Sequence, residues 1–386
     1  MDITEFLRLG GTDQAGVLSR VEEIAGLKPD DLLLAAGSLV EGLGSRKSDL
    51  DLFLIADHPP AAFRNRDEII FSAGTCVIDV RVLARRRISD LLQRLAGWDA
   101  QPWDSSDLAP FSHDDRVLLH RLSCGPVWRH GATPAGERAI RPPAAALARL
   151  KLHVARHAAK TIQVDMAGYQ ENQDYRTLAL AAQKLLGHAV DALAGGHGLT
   201  NPISKWRSRL LDRLPADWEA ALLCRPSGLQ AAELHWRLQR TPEHADSGVL
   251  AYAQRISAFS RAAFLWAEQT LLWPPAAGRQ DRRPGTRAAV PVILPALRFD
   301  VDFCLAVSGG RIARLNEFGA PLDLSEDEFR LVPQFDGTTT IGEAAATGGG
   351  DGVEAAKRVS ALAGKLVRAG FCEVQEAAAW ERASFA

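Results

Sequence analysis

Apolar and polar positions follow two rhythms along this chain. In the first third, short apolar runs alternate with polar, Gly-containing turns. Leu32–Ala36 is a continuous apolar run and reads as a buried strand, and Asp49–Ile55 reads as a second. Glu68–Phe71 is a shorter candidate. Val77–Leu83 alternates apolar and charged residues, the pattern of a half-buried strand. Helical periodicity appears at Val17–Leu27, Ile88–Leu95 and Asp114–Leu122, predicting a mixed sheet with flanking helices.

The rhythm changes near Arg141-Pro142-Pro143. From Ala144 to Leu272 the chain is rich in Ala, Leu, Arg and Gln at helical spacing. Arg176–Ala194 is the clearest amphipathic helix, with Gly195-Gly196 predicted to end it, and another is expected over Val249–Leu272. An antiparallel helical bundle follows from these segments. Pro274-Pro275 through Arg287 is proline-rich, basic and aperiodic, as a linker is. Beyond Pro291, Asp302–Val307 and Arg311–Leu315 flank Ser308-Gly309-Gly310, a hairpin pattern. Helices at Ser325–Phe335, Thr340–Ala346 and Val353–Ala369 and a strand at Phe371–Val374 complete a winged-helix-like α+β sum, with Gly348–Gly352 an interhelix turn. The predicted organisation is an α/β core over 1–140, an all-α helical bundle over 141–273, a linker over 274–290 and a small winged-helix domain over 291–386.

Charge narrows the partners. The 386 residues carry 45 basic and 47 acidic side chains, a net charge of −2, so no global basic field attracts nucleic acid or anionic lipid. No apolar run is long enough for a transmembrane helix, and the first residues, MDITEFLRLGG, lack the apolar core of a signal peptide. Cys76, Cys124, Cys224, Cys304 and Cys372 are odd in number and form no CxxC pair, which argues against a disulfide framework or a thiolate zinc site and predicts a reducing, cytoplasmic compartment.

The chemistry is concentrated in LLLAAGSLVEGLGSRKSDLDLFLIAD, Leu32 to Asp57. A strand leads into the tight turn Gly37-Ser38, a loop with Gly42 and Gly44 follows, and the next strand carries Asp49 and Asp51. Carboxylates at i and i+2 on a strand share a face and repel unless a cation lies between them. A divalent metal held by carboxylates and substrate phosphates satisfies that need. Glycine allows the close approach of backbone to phosphate.

Gly37-Ser38 followed by Asp49-Leu50-Asp51, with Asp79 on a later strand, resembles the signature of the DNA polymerase β-type nucleotidyltransferase superfamily, most closely its aminoglycoside-adenylyltransferase-like members. The resemblance covers roughly the first 130 residues and makes the α/β core a nucleotidyltransferase core. It implies that Asp49, Asp51 and Asp79 hold two Mg²⁺ (or Mn²⁺) ions, with Asp79 also taking the proton from the attacking hydroxyl. It implies ATP as donor and phosphate contacts from Gly37, Ser38, Ser45, Arg46, Lys47 and Ser48. Lys205, before Trp206, matches in kind a lysine that reaches the triphosphate in this superfamily. A second resemblance, carried by Arg314-Leu315-Asn316-Glu317 and Asp336-Gly337-Thr338, is to small winged-helix domains related to PqqD, which in ribosomal-peptide modification capture a leader peptide by strand addition. The chain departs from that pattern in the inserted PLDLSEDE.

Other residues carry blander readings. His153 and His157 lack the Glu and third ligand of a zinc motif and are expected to be surface or partly buried. Tyr169, Asp174, Tyr175 and Arg176 read as a helix N-cap and its neighbours. Arg85-Arg86-Arg87 reads as a solvated face that can also steer an anion. The expected function is metal-dependent transfer of a nucleotide, AMP from ATP, to a hydroxyl of a small molecule or peptide. Two alternatives stay open: AMPylation of another protein or of a peptide captured by the C-terminal domain, and a non-catalytic nucleotide-binding module. The absence of a long basic track with interleaved aromatics argues against a nucleic-acid substrate.

Overall fold

The computed structural model describes residues 1–101, 109–130, 138–218, 228–246, 248–272, 296–299, 305–308, 311–314, 322–347, 352–369 and 372–374. The chain divides into two compact units. Met1–Gln101, Pro110–Leu147 and Thr200–Trp206 form the first; the second is built on Ala148–Leu199 and the chain from Arg207 onward.

The first unit is mixed α/β. Its strands are β1 (Leu32–Ala36), β2 (Leu50–Ala56), β3 (Glu68–Ala73), β4 (Cys76–Ala84) and β5 (Val127–Arg129), in the order β3-β4-β2-β1-β5. All neighbours are antiparallel except β2 and β4, which run parallel and pair Asp51 with Asp79. Strand side chains alternate between faces, so Leu50, Leu52, Leu54, Ile78 and Val80 share one face. Phe6, Val17 and Val21 pack on it from α1 (Ile3–Leu9) and α2 (Gln14–Ala25). Asp2 and Asp13 cap these helices through Glu5 N–H and Gly16 N–H. Each leucine so buried contributes about 1.5–3 kcal/mol. The same alternation turns Asp51, Phe53, Asp79 and Arg81 to the opposite face. There α4 (His113–Cys124) supplies Arg121, whose guanidinium lies 5.7 Å from the Phe53 ring centroid. Helix α3 (Arg85–Asp99) follows β4 directly.

The four strands predicted for this unit form within two residues of their expected limits. Strand β5 was not expected: three residues pairing with β1 across a register shift are too short for a periodicity to show.

In the second unit, α5 (Ala144–Glu171), α6 (Tyr175–Gly196), α7 (Arg207–Leu211), α8 (Ala231–Leu238) and α9 (Gly248–Leu272) contribute to one core around Leu185, Leu186, Leu193, Trp218, Tyr252 and Phe264. Asp174 caps α6 by accepting from Thr177 N–H, as expected. The helix stops at Gly196, as predicted, with His197 as its C-cap. Both glycines lie inside the last turn of α6, and a Cβ on Gly196 would stand 2.3 Å from the Trp266 ring on α9. They serve close helix approach. His153 is buried rather than superficial, and the neighbouring Arg156 pairs with Glu268 of α9 at 3.0 Å, both side chains almost wholly buried.

Toward the C-terminus, β7 (Leu305–Ser308) and β8 (Arg311–Arg314) pair antiparallel as the predicted hairpin, with β9 (Leu322–Asp323) beside β8. A second sheet, in the order β10-β6-β11, joins Asp336–Thr340, Ala296–Phe299 and Cys372–Val374. Asp336-Gly337-Thr338 therefore sits in a strand that leads directly into the next helix, Ile341–Thr347. Helices α10 (Glu326–Leu331), α11 (Ile341–Thr347) and α12 (Gly352–Arg368) follow the expected order. Leu265 of α9 joins their core with Val332, Phe335, Leu362 and Leu366. The expected linker 274–290, most of the turn at Gly348–Gly352, and Leu315-Asn316-Glu317 lie outside the described residues. No described helix is long and apolar enough to cross a membrane.

Candidate functional site

The site forms where the β1–β2 connection meets the parallel β2–β4 pair. Leaving β1, Gly37 takes φ +81°, a left-handed conformation, and the chain turns through Ser38. The Ser38 carbonyl accepts from Leu43 N–H and Gly44 N–H, at 2.8 and 3.1 Å, closing the loop. Gly37 is also in intimate contact with the acidic strand: a Cβ there would fall 1.9 Å from Asp51 Oδ2. Glycine is thus required twice, by the backbone angle and by the carboxylate.

The three aspartates differ in surroundings. Asp49 lies just before β2, exposed to solvent. Asp51 is mostly covered, and Arg121 Nη1 lies 3.3 Å from its Oδ1. Asp79 is buried on β4; Arg81 Nε donates to its Oδ2 at 3.3 Å and also pairs with Glu68. Its other oxygen, Oδ1, is buried and accepts no hydrogen bond. Burial pushes the Asp51 carboxyl above its ordinary range; Arg121 opposes this, and Asp49 and Asp79 add to it. Burial likewise raises Asp79, against Arg81 and with Glu68 and Asp49. The arginines therefore offset only part of the charge cost. Asp49, Asp51 and Asp79 feel one another electrostatically but do not close into so tight a cluster as Glu41, His120 and Cys124, whose ligand atoms lie within 4.8 Å of one another.

The loop from Ser45 to Ser48 is tied to itself. Ser48 Oγ accepts from Ser45 N–H at 2.9 Å, and Ser45 Oγ accepts from Lys47 N–H at 3.2 Å. The serines shape the loop, while Arg46 and Lys47 project into solvent. Lys205 belongs to the same unit, in the helical turn Ser204–Trp206, with its Nζ 4.8 Å from the Trp206 ring centroid. Arg85 is pinned to the Asp30 carbonyl and Asp57, whereas Arg86 and Arg87 are exposed, as a solvated face requires.

Arg121, Glu41, His120 and Thr200 escaped the sequence reading. Arg121 reaches Asp51 from α4. Glu41, in the Gly-rich turn, accepts from Asn201 Nδ2 at 2.8 Å and meets His120 Nε2 at 3.0 Å, while His120 Nδ1 lies 2.9 Å from Thr200 Oγ1. These contacts fasten the turn, α4 and the segment leading to Lys205 to one another. Burial, with Glu41 adding to it, pushes the neighbouring Cys124 thiol up to about 12. No family model matches the chain, and no curated protein matches it in sequence.

Proposed function

We propose that the protein is a divalent-metal-dependent nucleotidyltransferase that moves a nucleotide, AMP from ATP, to a hydroxyl of a small molecule or peptide. The observation that carries this reading is the pairing of Asp51 with Asp79 on adjacent parallel strands, against a glycine turn that tolerates no side chain. The residues fit a metal. Asp79 keeps a buried carboxylate oxygen without a donor, and Asp49, just before β2, and Asp51, on it, offer two more carboxylates. Asp49, Asp51 and Asp79 would hold the ions, Mg²⁺ or Mn²⁺. When bound, the metal supplies charge stabilisation to the attacking oxygen and the leaving pyrophosphate.

The chain's own groups do the rest. Gly37 N–H and the Ser38 hydroxyl bind and orient phosphate oxygens, with Arg46, Lys47 and Lys205 as added cations. The acceptor oxygen bonds to the α-phosphorus, the bond from that phosphorus to the β-phosphate bridging oxygen breaks, and pyrophosphate leaves. Asp79 takes the hydroxyl proton, a role suited to a carboxyl raised by burial.

In this reading the first unit is a polymerase β-type core and the C-terminal elements a winged-helix domain related to PqqD. The hairpin β7–β8 followed by three helices favours a peptide as a second class of acceptor. The test is incubation with α-labelled triphosphate and pools of metabolites and peptides. Label on a small molecule or a peptide distinguishes the two acceptors. Equal product from Asp51→Asn and from the unaltered chain would sink both.

A further inference from the structure

We infer that Glu41, His120 and Cys124 form a second metal site, selective for a thiophilic divalent ion such as Zn²⁺ and separate from the aspartates. His120 and Cys124 lie at i and i+4 on α4 and so share a helix face. Glu41 comes from the turn after β1. His120 Nε2 lies 3.0 Å from Glu41 Oε1 and 3.9 Å from Cys124 Sγ. Zinc bonds of about 2.0–2.3 Å place the N···O and N···S edges of a tetrahedron at about 3.3 and 3.6 Å. Both of these edges lie within a few tenths of an ångström of the zinc values, and all three ligand atoms lie within 4.8 Å of one another.

The surroundings supply what a ligating histidine needs. His120 is buried, and Thr200 Oγ1, 2.9 Å from its Nδ1, holds the ring by the nitrogen that does not ligate. A hydroxyl accepts as readily as it donates, so Thr200 serves both the tautomer with a proton on Nε2 and the one that leaves Nε2 free to bind metal. Asn201 Nδ2, donating to Glu41 Oε1 at 2.8 Å, fixes the carboxylate beside the histidine. Three protein ligands leave one position for water. No CxxC pair is needed here, because the ligands come from two distant segments and include a single thiolate. Imidazole and thiolate favour Zn²⁺ over Mg²⁺, whereas the aspartates offer oxygen alone. On binding, the thiol proton passes to solvent and the turn 38–44 becomes bound to α4.

The test is titration of the chelator-treated full chain with Co²⁺, a spectroscopic stand-in for zinc. The site predicts a thiolate-to-cobalt charge-transfer band in the near ultraviolet that saturates at one equivalent, with visible bands of tetrahedral intensity. Cys124→Ser abolishes the charge-transfer band and His120→Asn weakens binding at least tenfold, whereas Cys76→Ser and Asp51→Asn retain the band. Zinc also raises the melting temperature of the unaltered chain but not that of Cys124→Ser. Absence of the charge-transfer band at stoichiometric cobalt, or its persistence in Cys124→Ser, overturns the inference. Cobalt at the aspartates gives no thiolate band, so this outcome is independent of nucleotidyl transfer.

Discussion

Replacing Gly37 by alanine separates backbone strain from damage to the site. At φ +81° an L-residue costs about 1–2 kcal/mol. The new Cβ would fall 1.9 Å from Asp51 Oδ2, where real contacts stay above 3.0 Å. Because a carboxylate is the end of a flexible side chain, Asp51 yields by rotating, and the clash adds little to the loss of stability. Its retreat by about 1 Å moves the group that would hold metal, and a displacement of that size costs on the order of 10²-fold in rate. Gly42→Ala is the control, because Gly42 has φ +67° and nothing within 4 Å of its built Cβ. Both variants should lose similar stability in urea unfolding. Only Gly37→Ala should lose most of its pyrophosphate release, measured where both are folded. Equal activity of the two variants would refute the reasoning.

Three further outcomes are expected. Arg121→Met removes the strongest influence holding the Asp51 carboxyl down, so the acid limb of the pH–rate profile should move to higher pH at fixed, subsaturating Mg²⁺; an unmoved limb would show that Asp51 does not set it. Glu268 is buried, and its folded pKa is raised from 4.5 to about 7, so its contribution to stability is full below about 4.5 and is lost as pH rises through about 7. Burial raises this carboxyl against the opposing pull of Arg156, and a pH series of urea melts should show the loss in the unaltered chain and not in Glu268→Gln. Lys205→Ala should raise KM for the triphosphate about tenfold with little change in kcat, the loss expected for one hydrogen bond to a charged group; an unchanged KM would leave Lys205 to its Trp206 contact.

The sequence reading reached as far as local pattern reaches. Strands β1, β2 and β4 were legible because each is a short apolar run bounded by turn residues, whereas the pairing of Asp51 with Asp79 depends on the parallel register of β2 and β4, which no local pattern carries. Gly37 was legible as a turn, but its contact with Asp51 depends on the antiparallel register of β1 and β2, in which Ala36 pairs with Asp51. The Glu41–His120–Asn201 cluster was not legible. Its members lie 79 and 160 residues apart in the chain, and a lone histidine in a helix carries no signal of its partners. Gly195-Gly196 was legible as a helix end, but the close packing of Gly196 against Trp266 was not, because small residues mark both helix ends and close helix crossings.

The most direct measurement is transfer of label from an α-labelled nucleoside triphosphate in the presence of Mg²⁺ and mixed acceptors, comparing the unaltered chain with Asp51→Asn and Asp79→Asn. The account predicts a labelled product and stoichiometric pyrophosphate from the unaltered chain, abolished by chelation and reduced by at least about 10²-fold in each variant. Product formation that survives both substitutions, or that proceeds equally in the presence of chelator, would contradict it.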